Sequence, residues 1–462
     1  MTIQDSVNGW IKQILPGKLT KMPASGIYPF AYAKEDGKSR IHLRINPDGS
    51  GVLVVNANRV MHLNPTGAWI CYHHLNGASE IEIVHGMKAV FLVDDSVVTQ
   101  DTRTIIAQVK ELIRPDGVCP IHDLFLETTM PFSTVVSAPY RMDLAITYRC
   151  NNDCAHCYNA RSRDFPECST AEWKQIIDRC WELTIPHLVF TGGEPTLRED
   201  LPELVGYAEQ KGMITGINTN GRRLADQKFL DRLVTSGLDH IQITLESHDE
   251  AIHDAMVHQK GAWRQTVKGI ENALVSKLFV MTNTTMLQTN YSGMEATLDF
   301  LTHLGVPTIG LNSLIYSGNG AKVGSGLRED QLPVLLDLAK EKTASVGQKL
   351  IWYTPTEYCR FDPVSQDLGI KGCTAAYYNM CVEPDGSVIP CQSYYSSLGN
   401  LLADSWDSIW NHPLALELRE RSKVPNRCQG CAVLAECGGG CPLHRDESNI
   451  KLMDMDLIPA AN

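Results

Sequence analysis

Between residues 141 and 345 of this 462-residue chain, short apolar segments alternate with amphipathic segments at helical spacing. This alternation constrains the fold more than any other feature, because a helix that follows a strand returns the chain to a parallel neighbouring strand. Repeated strand–helix units imply a parallel sheet with functional groups at the carboxyl ends of its strands. We predict an α/β fold built on a partial (βα)6 barrel, with an open sheet as the alternative.

The pattern predicts both kinds of element across this region. The predicted strands are 143–147, 187–191, 213–218, 240–245, 279–285 and 308–315. The predicted helices are 170–184, 199–211, 225–236, 262–276, 292–304 and 328–344.

The regions on either side of the predicted barrel differ from it. Residues 1–115 are predicted to form a small α+β domain, with a strand at 51–56 and helices at 66–75 and 101–113. Residues 116–140 contain scattered prolines and are interpreted as a linker. Residues 346–462 are predicted to be rich in loops and hold more than half of the 15 cysteines. Metal or cluster ligation would stabilise such a segment.

Charge and hydropathy exclude several classes of partner. The chain has 41 Lys and Arg against 53 Asp and Glu, a net charge of −12, which argues against nucleic acid as a partner. No apolar run approaches the ~18 residues of a membrane span, and the amino terminus lacks the pattern of a secretory signal. We therefore expect a cytoplasmic protein, in which cysteine spacing indicates metal ligation rather than disulfides.

The first cysteine motif directly follows the first predicted barrel strand. Cys150, Cys154 and Cys157 are separated by three and then two residues. Three thiolates in one loop can bind three irons of a [4Fe–4S] cluster and leave the fourth iron open. A zinc knuckle is the alternative, although zinc-finger spacing would require a fourth ligand. His156 lies inside the motif and is interpreted as a packing residue rather than a ligand.

Placed after the first strand of a (βα)6 unit, this motif resembles that of the radical S-adenosylmethionine (SAM) superfamily. The resemblance implies that the open iron binds the amino and carboxylate groups of SAM. Gly192, Gly193 and Glu194, followed by Pro195, resemble the GGEP segment of that family. They are therefore implied to contact the methionine amino group of SAM, whereas the same four residues alone would indicate a turn.

Polar residues also follow the third and fourth predicted strands. By the same resemblance, Asn220, Thr244 and Ser247 are implied to hydrogen-bond the ribose and carboxylate of SAM. Turn formation and helix capping are the alternative roles for these residue types.

The second group of cysteines lies in the C-terminal region. Cys373 and Cys391 are followed by a string with spacings of two, five and three residues, which comprises Cys428, Cys431, Cys437 and Cys441. This pattern resembles the SPASM extension of radical SAM enzymes, which carries auxiliary iron–sulfur clusters. A structural zinc ribbon is the alternative.

The resemblance implies two ligand sets in this extension. Cys373, Cys391 and Cys441 would hold one auxiliary cluster, and Cys359 or Cys381 would complete it. Cys428, Cys431 and Cys437 would hold the other, but no cysteine follows Cys441 to complete the pattern. His444, Asp446 or an external ligand would then substitute, or the cluster would be site-differentiated or missing.

The N-terminal region resembles a PqqD-like peptide-recognition domain over roughly residues 35–115. The resemblance rests on three segments. Residues 44–56 contain a glycine-rich turn and a strand that ends in Asn, and they are followed by residues 63–70 and by the helix at 101–113. It implies that a strand edge captures a leader peptide by β-augmentation. The alternative is a winged-helix-like accessory domain that packs on the barrel.

Together these resemblances imply an iron–sulfur enzyme that matures a ribosomally made peptide. An electron from a donor such as flavodoxin or ferredoxin would reduce the cluster at Cys150, Cys154 and Cys157. SAM cleavage would then give a 5′-deoxyadenosyl radical that abstracts hydrogen from the precursor peptide, for a crosslink, oxidation or other maturation step. The sequence assigns no catalytic acid or base.

Two other functions fit parts of the pattern. The SPASM-like C-terminal region of this chain also resembles that of radical SAM enzymes that decarboxylate tetrapyrrole side chains. Such an enzyme, however, would not need a leader-binding domain. A non-catalytic scaffold that binds a metal cluster is a third interpretation, in which the protein is not an enzyme.

Overall fold

The computed structural model describes residues 21–34, 37–56, 59–91, 94–113 and 136–444. The chain divides into two compact units, Met1–Thr128 and Thr129–Asn462. Within the described ranges, no helix is long and apolar enough to cross a membrane. The predicted linker falls almost wholly outside the described residues, so its boundaries stay a prediction.

The first unit contains an antiparallel sheet followed by helices. Its strands, in sheet order, are β1 (Gly26–Lys34), β2 (Gly37–Ile45), β3 (Gly51–Val55) and β4 (Arg59–Leu63). Its helices are α1 (Pro65–Leu75), α2 (Glu80–Val90) and α3 (Asp95–Ile113). The sequence predicted β3, α1 and most of α3, but it missed the other strands and α2.

Helix α1 is the centre of this unit because it is buried on more than one face. Asn64 caps its start by accepting a hydrogen bond from Gly67 N at 2.7 Å. Cys71 packs against the sheet, whereas Trp69, fully buried, packs with Ile83 of α2. The unit therefore has an apolar core of its own.

The second unit is organised around one ten-stranded sheet. Its strands are β5 (Arg141–Thr147), β6 (His187–Gly192), β7 (Ile214–Thr219), β8 (His240–Thr244), β9 (Phe279–Thr285), β10 (Thr308–Asn312), β11 (Lys349–Trp352), β12 (Asn379–Val382), β13 (Ser387–Ile389) and β14 (Gly399–Asn400). The order is β11-β10-β9-β8-β7-β6-β5-β12-β13-β14, and β5 to β11 are parallel. Among the described residues the sheet ends in two edge strands, β11 and β14, so it is open, as the prediction of a partial barrel requires.

The helices of this unit follow the strands in the predicted order. They are α4 (Thr170–Glu182), α5 (Leu201–Gln210), α6 (Gln227–Thr235), α7 (Glu250–Met256), α8 (Ala262–Leu274), α9 (Met294–His303), α10 (Leu332–Ser345), α11 (Trp406–Trp410), α12 (Pro413–Glu420) and α13 (Leu434–Cys437). Every strand and helix predicted for the barrel is present within a few residues of its expected bounds. The sequence missed α7 and β11, and it predicted none of the short helices α11, α12 and α13 of the C-terminal region.

The two faces of the sheet differ in chemistry. Met142 and Leu144 of β5 belong to the main apolar core, as the alternation of side chains along a strand requires. Asp143 points the other way, is fully buried and pairs with Arg141 at 3.0 Å. Strand β12 pairs with β5 in parallel and places Cys381 beside Asp143. The C-terminal region therefore extends the barrel sheet.

Candidate metal centre

The loop that carries Cys150, Cys154 and Cys157 leaves the carboxyl end of β5. The three thiols lie close enough for their charges to interact. Burial raises the pKa of Cys150 to about 11, and the charge of Glu194 adds to this effect. Burial also raises the pKa of Cys154 and Cys157. Binding to iron would offset this cost, because the metal stabilises thiolates.

The described residues do not place these three thiols around a single metal ion. Across the described residues, no three His, Cys, Asp or Glu side chains converge in a way that would hold one metal ion. In an iron–sulfur cube each thiolate binds a different iron, so its ligands need not converge on one point.

Two arginines hold the backbone of the cysteine loop. Arg163 donates to Cys150 O at 3.1 Å and to Asn152 O at 2.7 Å. Arg222 donates to the carbonyl of Asn151 and to Asn152 Oδ1, the latter at 2.8 Å. The loop conformation is therefore held by charged side chains that are independent of any bound cluster.

His156 forms a buried pair with Glu246, which follows β8. His156 Nε2 and Glu246 Oε1 are 2.8 Å apart, and Glu246 Oε2 accepts a hydrogen bond from Thr285 N at 2.9 Å. Burial lowers the pKa of His156, but the charge of Glu246 and the hydrogen bond outweigh it, so the pKa is raised. The pair links the cysteine loop to the middle of the sheet, in keeping with the packing role expected for His156.

The two glycines after β6 allow the backbone to lie against the start of the cysteine loop. A Cβ atom on Gly192 or Gly193 would lie well under 3.0 Å from backbone atoms of the chain around Thr147 and Arg149. Gly193 N donates to Thr147 O at 2.7 Å, and Glu194 N donates to Arg149 O at 2.9 Å. Both glycines thus position the strand end, a structural need separate from the implied contact with SAM.

The Glu194 side chain is buried beside this strand end. Its Oε1 accepts hydrogen bonds from Thr196 Oγ1 and Thr219 Oγ1, each at 2.6 Å, and from Thr196 N at 3.1 Å. Oε2 accepts one, from Asn220 N at 2.8 Å. Burial raises the pKa of Glu194, and these hydrogen bonds oppose the rise. A carboxylate offers about four lone-pair sites, so Oε2 is the oxygen with capacity for a ligand ammonium.

Asn220 and Ser247 also make contacts within the chain. Asn220 Nδ2 donates to Asn151 Oδ1 in the cysteine loop at 2.6 Å. Ser247 Oγ accepts from Asp249 N at 3.1 Å, immediately before α7. The turn and capping roles that the sequence offered as alternatives are thus present. Contact of these two residues with SAM stays a prediction.

Thr244 ends β8 on a face that carries unsatisfied polar groups. Its register partner is Asn283 of β9, and Asn312 of β10 lies on the same face. In the described part of the chain, Asn283 Oδ1 and Asn312 Oδ1 are buried without a hydrogen-bond partner. Buried unpaired acceptors are costly, so this face is suited to receive a polar ligand.

Cys373, Cys391 and Cys441 lie together in the C-terminal region. Burial raises the pKa of Cys391 to about 12, and the charges of Cys373 and Cys441 contribute. Cys381 is fully buried and lies close enough to Cys391 for their charges to interact. Its side chain also belongs to a small apolar cluster that includes Tyr148.

This group is near the first cysteine loop. Tyr395 is close enough to both Cys157 and Cys391 for electrostatic interaction. Arg161 stacks over its ring at 5.3 Å and pairs with the fully buried Glu383 at 2.6 Å. Aromatic and paired charged side chains thus occupy the space between the two sets of thiols.

A second C-terminal group forms around Cys428 and Cys437. Cys359 lies with these two, because all three thiols interact electrostatically in pairs. Cys431 is exposed and follows Cys428 in a turn, with its N–H 3.2 Å from Cys428 O. Cys359 therefore joins the group that the sequence left incomplete, rather than that of Cys391.

The substitutes considered for the missing ligand are placed differently. The His444 ring stacks on Tyr316 with centroids 4.2 Å apart. Asp446 lies outside the described residues.

Sequence reasoning missed the supports of the cysteine loop. Arg222 directly follows the Asn220-Gly221 segment and could have been found by extending that motif. Arg163 binds backbone carbonyls, which leave no sequence signature.

Comparisons with known proteins agree with this architecture. The family model of the Radical SAM superfamily matches residues 144–301, and the SPASM iron–sulfur cluster-binding domain matches residues 373–432. An Fe-coproporphyrin III synthase of Methanosarcina barkeri is 30% identical over 64% of this chain and 81% of its own length. A PqqA peptide cyclase of Xanthomonas campestris is 27% identical over 67% and 83%, respectively.

Solved structures share the fold. Streptococcus suis SuiB bound to its precursor peptide SuiA matches with a TM-score of 0.65 at 17% identity, over 90% of this chain and 96% of SuiB. The enzyme anSMEcpe with bound AdoMet matches with a TM-score of 0.55 at 18% identity, over 66% of this chain and 90% of its own.

Proposed function

Because this chain belongs to the radical SAM superfamily and carries a SPASM domain, we propose that it modifies a ribosomally made precursor peptide. The cofactors are a [4Fe–4S] cluster with SAM and auxiliary iron–sulfur clusters. When bound, they supply a 5′-deoxyadenosyl radical that abstracts hydrogen from an unactivated carbon. The observation that carries the peptide assignment is β4, an edge strand of the first unit that has no further strand beside it among the described residues.

Residues of the second unit would hold the cofactors. Cys150, Cys154 and Cys157 would bind the first cluster in a loop already fixed by charged side chains. Glu194 Oε2 would accept from the SAM ammonium. The face that carries Thr244 and the unpaired oxygen of Asn283 would bind a polar part of SAM or substrate.

The outer edge of β4, beside which the structure describes no further strand, offers backbone groups for a peptide strand. Asn56 N donates to Arg40 O at 2.9 Å, so alternate residues of β3 bond to β2. The intervening residues 51, 53 and 55 therefore bond to their register partners 59, 61 and 63 in β4. This alternation leaves the N–H and C=O groups of Val60 facing outward, where an extended peptide would pair with them.

The opposite edge of the sheet is less suitable. By the same alternation, the register of β1 with β2 turns Ile27 and Pro29 outward. Proline has no N–H, so it removes a donor from the middle of this edge. The leader peptide is therefore proposed to bind β4.

The comparisons add support for a peptide substrate. The match to SuiB spans 90% of this chain, more than the second unit alone contains, so it extends into the first unit. SuiB is solved with a precursor peptide, and another relative is named a PqqA peptide cyclase. We propose the division into recognition domain (1–115), linker (116–140), barrel (141–345) and SPASM domain (346–462). A small redox protein of the flavodoxin or ferredoxin type is the proposed electron donor.

Substitution at the open edge tests this assignment. Val60→Pro removes one outward-facing N–H and leaves the bonds between β3 and β4 in place, whereas Val60→Thr keeps the N–H. The full chain and both variants would be purified anaerobically from the native host and analysed by mass spectrometry. Parent and Val60→Thr should retain a bound peptide that Val60→Pro loses. Equal retention by all three proteins would contradict capture at β4.

The second candidate is a tetrapyrrole enzyme. The relative that favours it is the Fe-coproporphyrin III synthase at 30% identity. Porphyrin absorbance in the purified parent, with no bound peptide, would replace the peptide proposal by this one.

A further inference from the structure

We propose that Cys359 is the fourth ligand of an auxiliary iron–sulfur cluster held by Cys428, Cys431 and Cys437. This inference rests on the cofactor content of the proposed function and is independent of the substrate. It assigns the position for which the sequence pattern offers no cysteine after Cys441.

The segment before Cys359 is hydrogen-bonded to the thiol of Cys437. Tyr358 N donates to Cys437 Sγ at 3.3 Å, and Cys437 Sγ lies 3.7 Å from Thr356 O. Backbone N–H groups that donate to a cysteine sulfur are a regular feature around iron–sulfur clusters, where they tune the thiolate. The segment 356–359 therefore forms one wall of the cysteine group.

An ion pair joins the same segment to the neighbour of Cys428. Arg427 Nη2 lies 2.6 Å and 2.8 Å from the two carboxylate oxygens of Glu357. Gly440 packs closely against Glu357, because a Cβ atom on Gly440 would lie 3.0 Å from Glu357 Cγ. These contacts of residues 356–358 thus bring Cys359 to the cysteines of the downstream string.

The other described side chains near this group have contacts of their own. The Glu357 carboxylate pairs with Arg427 and also with Arg360 Nε at 3.0 Å. His444 stacks on Tyr316. Cys381 is buried beside Cys391, in the other group. Cys359 is the remaining sulfur donor next to this group in the described part of the chain.

Alkylation of the native protein tests the assignment without a substitution. Cys359 and Cys431 are both exposed in the polypeptide, so free thiols there would be accessible to iodoacetamide. In the anaerobically purified holoprotein, both should be protected, and both should become reactive after the iron is chelated. Peptide mapping by mass spectrometry measures this directly. Protection of Cys431 with rapid alkylation of Cys359 in the same holoprotein would overturn the proposal.

Substitution provides a second, spectroscopic test. Cys359→Ala, Cys428→Ala and the control Cys180→Ala, which alters a buried thiol of α4, would be compared by iron content and by Mössbauer and EPR spectra. Cys359→Ala should match Cys428→Ala, with about four fewer irons per chain or an altered spectrum of one cluster. Iron content and spectra equal to those of Cys180→Ala would overturn the proposal. Peptide retention does not enter this test, so its failure is distinguishable from that of the proposed substrate.

Discussion

The first cysteine loop and the group around Cys359 are both proposed to hold iron, but the chain supports them differently. The first loop leaves a barrel strand and is held by Arg163 and Arg222 and by the pair of His156 with Glu246. The second group lies between loops that are joined chiefly by the ion pair of Glu357 and Arg427. A rigid sheet thus fixes one site in advance, whereas ligation itself would fix the other.

This difference fits the separate tasks of the two sites. A site that must orient SAM against a substrate needs a fixed geometry, and strands of the barrel provide it. A site with four cysteine ligands needs no open position, so the cluster itself can hold several loops together.

The largest effect should separate the two sites by activity. Cys150→Ala should lower the rate of SAM cleavage by about 100-fold or more, because the open iron that binds SAM is lost. Cys437→Ala should leave cleavage in place but block formation of the modified product. Formation of 5′-deoxyadenosine, measured by liquid chromatography, checks both variants. Normal cleavage by Cys150→Ala would show that the first site is wrongly assigned.

A smaller effect should follow from loosening the first loop without removing a ligand. Glu246→Gln weakens the buried pair with His156 and leaves a comparable shape. The expected result is a loss of about tenfold in the affinity for the first cluster, as for other changes beside metal ligands. Competition with an iron chelator measures this affinity. Gln265→Glu, which changes charge at a partner of Arg222 on the exposed side, is the control and should have a smaller effect.

Removal of iron should loosen the backbone around Cys359, Cys428 and Cys437 more than that of the first cysteine loop. We expect chelation to raise amide hydrogen exchange in segments 356–360 and 427–441 by about tenfold, because the cluster links them. Residues 150–157 should change less, since their supports remain. Hydrogen-exchange mass spectrometry of the holoprotein before and after chelation compares the segments. An equal increase in both regions would remove the contrast between them.

The smallest effect concerns the stability of the fold near Glu357, beside the group of Cys359, Cys428 and Cys437. Burial raises the pKa of Glu329 to about 7, and the charge of Glu357 adds to it. The folded state thus binds this proton more tightly than the unfolded state, so the stabilisation present at low pH is lost as pH rises through 7. Glu329→Gln should increase the free energy of unfolding by about 1 to 2 kcal/mol at pH 8 and by less than about 1 kcal/mol at pH 5. Urea denaturation at both pH values measures this difference, and an equal effect at both would contradict it.

Sequence periodicity was sufficient to predict the barrel because its strands and helices are long and regularly patterned. It missed β1, where Pro29 argues against a strand, although an edge strand tolerates proline. It also missed α2, despite the capping box of Ser79 and Glu82 that marks its start.

For the site, local spacing identified the cysteine sets but could not assign Cys359. Its partner Cys437 lies far along the chain, and the hydrogen bond from Tyr358 N and the pair of Glu357 with Arg427 depend on tertiary structure. The same limit applies to His156 and Glu246, which pair across the sheet.

The origin of the hydrogen atom that reaches 5′-deoxyadenosine tests the central claim most directly. The holoenzyme would be incubated with SAM, a reductant and a fraction of host cells grown on deuterated amino acids that contains both peptides and small molecules, with and without prior protease treatment. Mass spectrometry of 5′-deoxyadenosine should show deuterium that protease treatment abolishes, because the hydrogen comes from a peptide. Deuterium that survives protease and follows the porphyrin absorbance of the fraction would contradict the account.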